Sequence, residues 1–480
     1  MKRFITIGFC LILVINVHSQ NKNQLKQAIT YFNNSQNFIY NRPNADSALF
    51  WIKKLASDKH YANLLTMFLH NSLAQAFISK NIPGTDTSQI NNTKRQRILC
   101  KEILSKIMSD TTKLLKQAAR PIYFLVKIEE NKNNLSELGP LTNEFIRQEL
   151  SSDNIYKNRV GRYGLLIYQI ASKQTKLKPL VKKLFTIIYS DLKNNQVVVT
   201  DSSSRTDLDK RAWYRYLFAY VNYLEAKKYA YVNYKGERKS YALDKEEKYY
   251  RAAFNYSPDL IDKNHSTECF YDMVFLTGKE KQSFKEDYLS FLINSDANKK
   301  KVFNILLNIA LVEPEYKSRL KEYYEVNNIS SMHFNDYWEK AVNSNAKVAP
   351  SISLNLLNNK LFSSKKNSGK WIIVDFWDTW CMPCRKEQPK LQKFYNSVIL
   401  KNAKNIALLT IACKDTEQRV LKYMEEKRYN FPVAMADNKV GKAYSVQSYP
   451  TKALITPEGK FIIIPYTADW VNFVKQYCSL

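Results

Sequence analysis

The chain has 480 residues, enough for two or more domains, and its 45% apolar content with 32 tyrosines excludes a disordered chain. A formal charge of +29 invites a nucleic-acid or acidic-membrane partner. The lysines, however, are spread through every segment among Asn, Ile and Tyr, a chain-wide bias rather than a binding patch, so no nucleic-acid partner is expected.

Met1-Lys2-Arg3, an apolar run over 4–17 and small or polar residues to Gln20 have the layout of a secretory signal peptide. The apolar run is short for a membrane span. Cys10 lies inside it behind Phe9, which argues against a lipoprotein cleavage site. The expectation is an exported protein of the periplasm or cell envelope, soluble or anchored at its N-terminus.

Residues 21–345 are poor in Gly and Pro and rich in helical spacing. Apolar residues recur at three- and four-residue intervals over 45–77, 101–118, 154–189, 210–229, 245–255, 280–293 and 298–324. Residues 91–92 and 201–206 read as loops, and 196–200 as a short strand or a helix end. The prediction is a large all-α region. Trp213, Tyr216 and Tyr220, followed by Tyr250, Ala253 and Pro258, resemble the two helices of a tetratricopeptide repeat, although the connection over 231–241 is long for that unit. A degenerate helical array and an irregular helical domain both fit, and either suits a peptide or protein partner. His60, His70, His265 and His333 lack paired ligand spacing and read as surface or capping residues.

The chain changes character near 345–348, and a second domain is expected over 346–480. A run over 371–377, apolar except for Asp375, reads as a strand buried on both faces, as in a parallel sheet. It breaks at Asp378-Thr379 and enters Trp380-Cys381-Met382-Pro383-Cys384, after which residues to 400 have helical spacing. A strand feeding Cys-x-x-Cys at a helix start is the geometry of a redox dithiol. The unpaired N–H groups of a helix N-terminus stabilise a thiolate, and that thiolate is the attacking species in disulfide exchange. Cys381, just outside the first turn, is therefore the attacking thiol, and Cys384, one turn in, the resolving one. Pro383 is tolerated in the first turn. Downstream, 406–412 reads as a strand, 416–428 as a helix, 431–435 as a strand and 440–444 as a short helix. Strands over 451–456 and 460–465 should pair across Pro457-Glu458-Gly459, and 468–477 closes as a helix. Cys100, Cys269, Cys413 and Cys478 are isolated and read as small buried hydrophobes.

These motifs resemble the thioredoxin fold, and more closely the TlpA/ResA group of extracytoplasmic thiol–disulfide oxidoreductases. Glu387 and Pro389 complete a Cys-x-x-Cys-x-x-Glu-x-Pro arrangement, Tyr449-Pro450-Thr451 resembles the group's cis-proline loop, and 349–370 its leading β-hairpin. The resemblance covers 346–480 and implies an α/β domain with a mixed central sheet flanked by helices. It implies Cys381, Cys384, Asp375 and Glu387 as catalytic residues. Trp380, Met382, Pro383, Tyr449, Pro450 and Thr451 would contact substrate, with Pro450 cis.

Buried in its strand, Asp375 should have a raised pKa and place a proton donor and acceptor beneath the dithiol. Members of the group that carry the glutamate often lack this acid. Both are present here, so the working base is left open and the two acids are expected to titrate as a coupled pair. No metal is expected, because a zinc site needs four ligands and no histidine follows His333. No cofactor is expected beyond the redox-active disulfide. The implied partners are disulfide-containing envelope proteins and a membrane thiol donor for re-reduction. The alternative is a binding or scaffold protein in which the domain serves as a redox switch.

Overall fold

The computed structural model describes residues 22–78, 87–150, 156–200, 203–235, 240–265, 269–278, 281–437 and 439–480. The signal-peptide segment, 1–20, lies outside them. The described residues divide into two compact units, one drawn from positions up to 194 with 271–278, the other from 195–270 with 281–480.

The first unit is helical. Its main helices are Lys22–Tyr40, Ala45–Ala56, Thr87–Ser109, Lys113–Glu130, Leu135–Phe145 and Lys178–Asn194. Asn44 starts the second of these by accepting the Ser47 N–H at 2.8 Å, satisfying a donor that has no partner inside the helix. Residues 91–92, read as a loop, lie inside Thr87–Ser109, because two asparagines are too few to outweigh the helix on either side. The periodic stretch over 154–189 is not one helix. It contains a π turn, Val160–Gly164, a helix Leu165–Ala171 and a break before Lys178.

The π turns of this unit, Phe68–Leu73, Ile146–Leu150 and Val160–Gly164, carry His70, Glu149 and Arg162, all buried. Arg162 pairs with Asp272, donates to the His70 carbonyl at 2.6 Å and reaches Asn71 Oδ1 at 3.0 Å. Asn158 donates to the second Asp272 oxygen at 2.6 Å. His70 is therefore a core residue, not the surface or capping residue the sequence implied. Its ring stacks on Tyr156 with centroids 3.6 Å apart and its Nδ1 meets the Tyr163 hydroxyl at 2.7 Å. Burial, then the Arg162 charge, holds it well below the ordinary histidine pKa.

In the second unit, helices Arg205–Lys235 and Ser240–Tyr256 run antiparallel, as the ring pairs Phe218–Tyr256 and Tyr229–Tyr249 show. Residues 196–200 have no regular structure and enter no sheet. Helices Lys285–Asn294, Lys299–Ala310, Lys317–Val326 and Phe334–Ser344 follow.

The chain then forms β1 (Lys347–Val348), β2 (Ser353–Asn355), β3 (Leu361–Ser363), β4 (Trp371–Trp377), β5 (Ile406–Ala412), β6 (Val433–Met435), β7 (Thr451–Ile455) and β8 (Lys460–Ile464). A mixed six-stranded sheet has the order β1-β8-β7-β4-β5-β6, with β4, β5 and β6 parallel and β7, β8 and β1 antiparallel. The predicted leading hairpin is β2–β3, a separate two-stranded sheet. Gly459, at φ +75°, supplies the left-handed residue that the β7–β8 turn requires.

Strand alternation assigns the faces. Ile372, Val374 and Phe376 of β4 lie in a cluster with Ile352, Phe362 and Tyr444. Trp371, Ile373 and Trp377 face the opposite side, with Leu391 and Phe394 of helix Met382–Phe394 and with Trp470. That second cluster continues into the helical segment through Phe303, Leu320 and Trp338. Polar contacts follow the same seam. Trp338 Nε1 donates to the Tyr477 carbonyl at 3.2 Å, the Tyr477 hydroxyl donates to the Leu311 carbonyl, and Lys317 Nζ reaches the Gln476 carbonyl at 2.5 Å. Among the described residues no helix is long and apolar enough to cross a membrane.

The Arg162–Asp272 pair gives a stability test for the first unit. Replacing Asp272 with Ala strands a buried guanidinium, and urea unfolding of the variant is expected to show a loss of about 3–5 kcal/mol.

Candidate active site

Cys381 and Cys384 are joined as a disulfide where β4 gives way to helix Met382–Phe394. Cys381 is the N-cap residue, its sulfur accepting the Cys384 N–H at 3.2 Å, and Pro383 sits in the first turn. Both sulfur-bearing residues are nearly enclosed in this oxidised form, whereas their neighbours Trp380, at 56% exposure, and Met382, at 66%, form an apolar rim. Of the two flanking tryptophans, Trp380 is thus exposed and Trp377 is core.

The turn that presents the dithiol is held by groups the sequence reading did not single out. Asp378 Oδ1 accepts the N–H groups of Cys413 at 2.9 Å and Lys414 at 2.6 Å. Asp415 accepts the Thr379 N–H at 2.8 Å as well as the Thr379 hydroxyl. Trp380 Nε1 donates to the Lys414 carbonyl at 3.1 Å. The loop after β5 therefore splints the loop after β4. Burial pushes the Asp378 carboxyl up against the pull of the two amides it accepts. Asp415 lies lower than usual, because the Thr379 hydrogen bonds outweigh its own burial. An acid within three residues of the end of each of two apolar strands was the available sequence signal.

Tyr449-Pro450 is a cis peptide, as the cis-proline resemblance implies. The Tyr449 ring packs edge-on to Trp380, with centroids 6.2 Å apart, and the Thr451 hydroxyl donates to the Ser448 carbonyl at 2.7 Å. The structure thus brings Trp380 and Tyr449 together beside the dithiol. Cys413, in contact with the Tyr449 hydroxyl, is pushed up to about 12 by burial, so it is no competing thiolate at neutral pH.

Asp375 is buried on the face of β4 that carries the dithiol helix, and β7 places Lys452 directly opposite it in the ladder. Lys452 Nζ lies 3.2 Å from Asp375 Oδ1 and 2.5 Å from Glu387 Oε2. The Asp375 contact is within ion-pair distance but lacks hydrogen-bond alignment, so Oδ1 has no satisfied bond. Burial raises the Asp375 pKa; Lys452 opposes this and Glu387 adds to it. Burial also pulls Lys452 down, but the two carboxylates outweigh it and leave the ammonium above its ordinary value. Lys452 is the main omission of the sequence reading. Its signal was a lone cation in an apolar strand, matching the lone acid in β4. Glu387, Pro450, Lys452, Ile464, Tyr466 and Trp470 line a small recess beside the dithiol helix. Among the described residues no group of three or more His, Cys, Asp or Glu side chains is placed to hold a metal.

Comparison with known proteins finds relatives of the C-terminal part of the chain. Residues 346–463 match the AhpC/TSA family. They form a thioredoxin-like oxidoreductase domain. The chain is 29% identical over 133 residues to the thiol-disulfide oxidoreductase ResA of Bacillus subtilis, a match covering 28% of this chain and 73% of the relative. A ResA of Bacillus cereus is 32% identical over 117 residues, covering 24% of this chain and 66% of the relative. Among solved structures, a thiol:disulfide interchange protein of the thioredoxin family from Chlorobium tepidum is 30% identical. That match covers 28% of this chain and 97% of the other, with a TM-score of 0.24. The thioredoxin domain of a thiol-disulfide oxidoreductase from Bacteroides vulgatus is 28% identical, covering 28% and 96%, with a TM-score of 0.26. All four matches are confined to about a quarter of the chain.

The raised Asp375 pKa fixes the sign of a pH effect. Its folded value lies above the ordinary 3.8, so its contribution to stability is fully present below that value and is lost as pH rises through the folded one. Urea unfolding of the oxidised full chain from mildly acidic to neutral pH should show wild type falling relative to Asp375→Asn across that window and running parallel to it above. Lys452 titrates well above this range. Parallel curves throughout would show that Asp375 keeps an ordinary pKa.

Proposed function

We propose that the protein is an exported thiol–disulfide reductase acting on disulfide-containing proteins of the cell envelope. The observation that carries the reading is the Cys381 sulfur capping helix Met382–Phe394 and accepting the Cys384 N–H, with Cys384 already its disulfide partner. On reduction the same N–H and the helix dipole favour a thiolate on Cys381 over one on Cys384.

The reaction balances without a cofactor. The Cys381 thiolate attacks one sulfur of the substrate disulfide and expels the other as a thiolate, leaving a mixed disulfide. Cys384 then loses its proton and attacks Cys381, releasing the second substrate thiol and closing the Cys381–Cys384 bond. The substrate gains two electrons, the dithiol loses two, and a membrane thiol donor restores the starting state. Trp380, Met382, Pro383 and Thr451 form the contact surface, and the Tyr449 backbone beside Pro450 pairs with an extended substrate segment.

The helical region serves as the partner-binding module, in the manner of a degenerate tetratricopeptide array. Asn264 Oδ1 accepts the Tyr466 N–H at 2.9 Å, so a helical-segment residue steadies the loop that borders the recess near Pro450. This contact supports a role for that segment in presenting substrate.

Cys384→Ser should retain the first attack and accumulate disulfide-linked envelope proteins, seen as bands that disappear on reduction. Cys381→Ser should form none and reduce a model protein disulfide no faster than buffer. The dithiol potential should lie nearer about −270 mV than about −120 mV. If Cys381→Ser keeps full biological activity, the domain is a scaffold or switch instead.

A further inference from the structure

The family match ends at residue 463, before the loop that follows β8, and one side chain of the helical segment reaches that loop. Asn264 Oδ1 accepts the Tyr466 N–H at 2.9 Å, while its Nδ2 donates to the Leu260 carbonyl at 3.2 Å, so each end of the amide has its own partner. Asn264 is itself firmly held. It closes the short helix Leu260–Lys263, whose capping residue Asp259 accepts the Asp262 N–H at 2.9 Å. Arg211 donates to both Asp259 and Asp262, and Arg215 Nε donates to Asp262 at 2.8 Å. These charged hydrogen bonds fasten the turn to helix Arg205–Lys235.

On the other side of the contact, the Tyr466 ring is 60% exposed. Pro465, Tyr466 and Ala468 line the recess together with Pro450 and with Glu387 of the dithiol helix. Tyr449, next to Pro450, packs against the exposed Trp380, so contacts run from Trp380 through Tyr449 and Pro450 to Tyr466. The far end of the loop is tied to the dithiol helix by Lys390, which donates to Asp469 at 2.7 Å.

We propose that Tyr466 is a specificity-determining contact for disulfides carried in extended polypeptide, and that Asn264, from outside the thioredoxin-like domain, is the residue that positions it. The inference rests on the oxidoreductase reading above and deepens it by naming the substrate class. A segment paired with the Tyr449 backbone advances about 3.3 Å per residue, so within a few residues it leaves the dithiol and runs over neighbouring surface. Beyond Pro450 that surface is Tyr466. A tyrosine ring offers broad contact area with only two side-chain torsions to fix, which suits segments of varied sequence. A small disulfide ends at the sulfur exchange and has no atoms to place there. The bond to Asn264 therefore acts on the binding of protein substrate, and the exchange at Cys381 and Cys384 proceeds without it.

The test uses the full-length protein and two probes. One is insulin, whose disulfides are reduced with dithiothreitol as donor; the other is a single turnover of the reduced protein, freed of reductant, with dithiobisnitrobenzoate. Asn264→Ala should raise KM for insulin about fivefold or more, with kcat and the dithiobisnitrobenzoate rate each within about twofold of wild type. Tyr466→Ala should raise the insulin KM at least as far. Because Asn264 acts through Tyr466, adding Asn264→Ala to Tyr466→Ala should cause no further loss.

An unchanged insulin KM in Tyr466→Ala, or losses that multiply in the double variant, would overturn the inference. A fall in kcat or in the dithiobisnitrobenzoate rate of Asn264→Ala would mark a structural effect on the dithiol and overturns it too. Wild type that reacts with dithiobisnitrobenzoate but reduces insulin no faster than dithiothreitol alone overturns the substrate class. Wild type that reacts with neither defeats the oxidoreductase reading itself, an outcome separate from the others.

Discussion

A carboxylate in the middle of an apolar strand is tolerated only with a cation beside it, and the site is arranged around that requirement. Asp375 is enclosed by the sheet, the dithiol helix and Trp377 above it in the strand. Isolated, such a group would simply hold its proton. Lys452, opposite in the antiparallel ladder, changes this by bringing a charge that is itself too buried to stand alone. The cation then needs Glu387 as much as the carboxylates need it, so the sheet and the helix that carries the dithiol are coupled electrostatically where their backbones are not hydrogen-bonded. Three buried or half-buried charges with one shared ammonium leave one net negative charge. That odd charge is the feature a proton can neutralise.

The strands that build this site were legible because a parallel strand covered on both faces is a continuous apolar run. β4 and β5 have the boundaries read from sequence, and the helix start was marked by Pro383 and the cysteine spacing. Lys452 was not legible, since its meaning depends on register: 77 residues separate it from Asp375, and only the β4–β7 pairing makes them neighbours. β1 was missed because two exposed residues have no periodicity to read, and only the free edge of β8 recruits them. In the helical region, a 3.6-residue pattern cannot register a π turn, which inserts one residue and rotates the following face. That is why the 154–189 stretch looked continuous, and why His70 and Arg162, each in a π turn, turn out to be core residues.

Buried polar groups fix the packing in both units. In the first unit Arg162 pairs with Asp272 and reaches Asn71, Asn158 donates to Asp272, and His70, held neutral by burial, packs beside them. Such a network fixes one packing of helices whose apolar faces alone would tolerate several. Asp378 and Asp415 hold the loops near the dithiol, Asp378 through Oδ1 on two backbone N–H groups and Asp415 through Thr379. Asp375 differs in facing a buried cation, its Oδ1 lying 3.2 Å from Lys452 Nζ.

The same logic bears on the helical segment of the second unit. Its apolar cluster is continuous with the one that contains Cys381 and Cys384, and Lys317, Trp338 and Tyr477 join the two through hydrogen bonds. A thioredoxin-like sheet needs cover on both faces, and here helices from outside the matched region supply part of it. The helices from 205 onward are thus structural neighbours of the redox centre rather than a module on a flexible tether. Part of the cover that the sheet needs to bury its apolar face thus comes from helices far earlier in the chain, so the redox centre and those helices share one core.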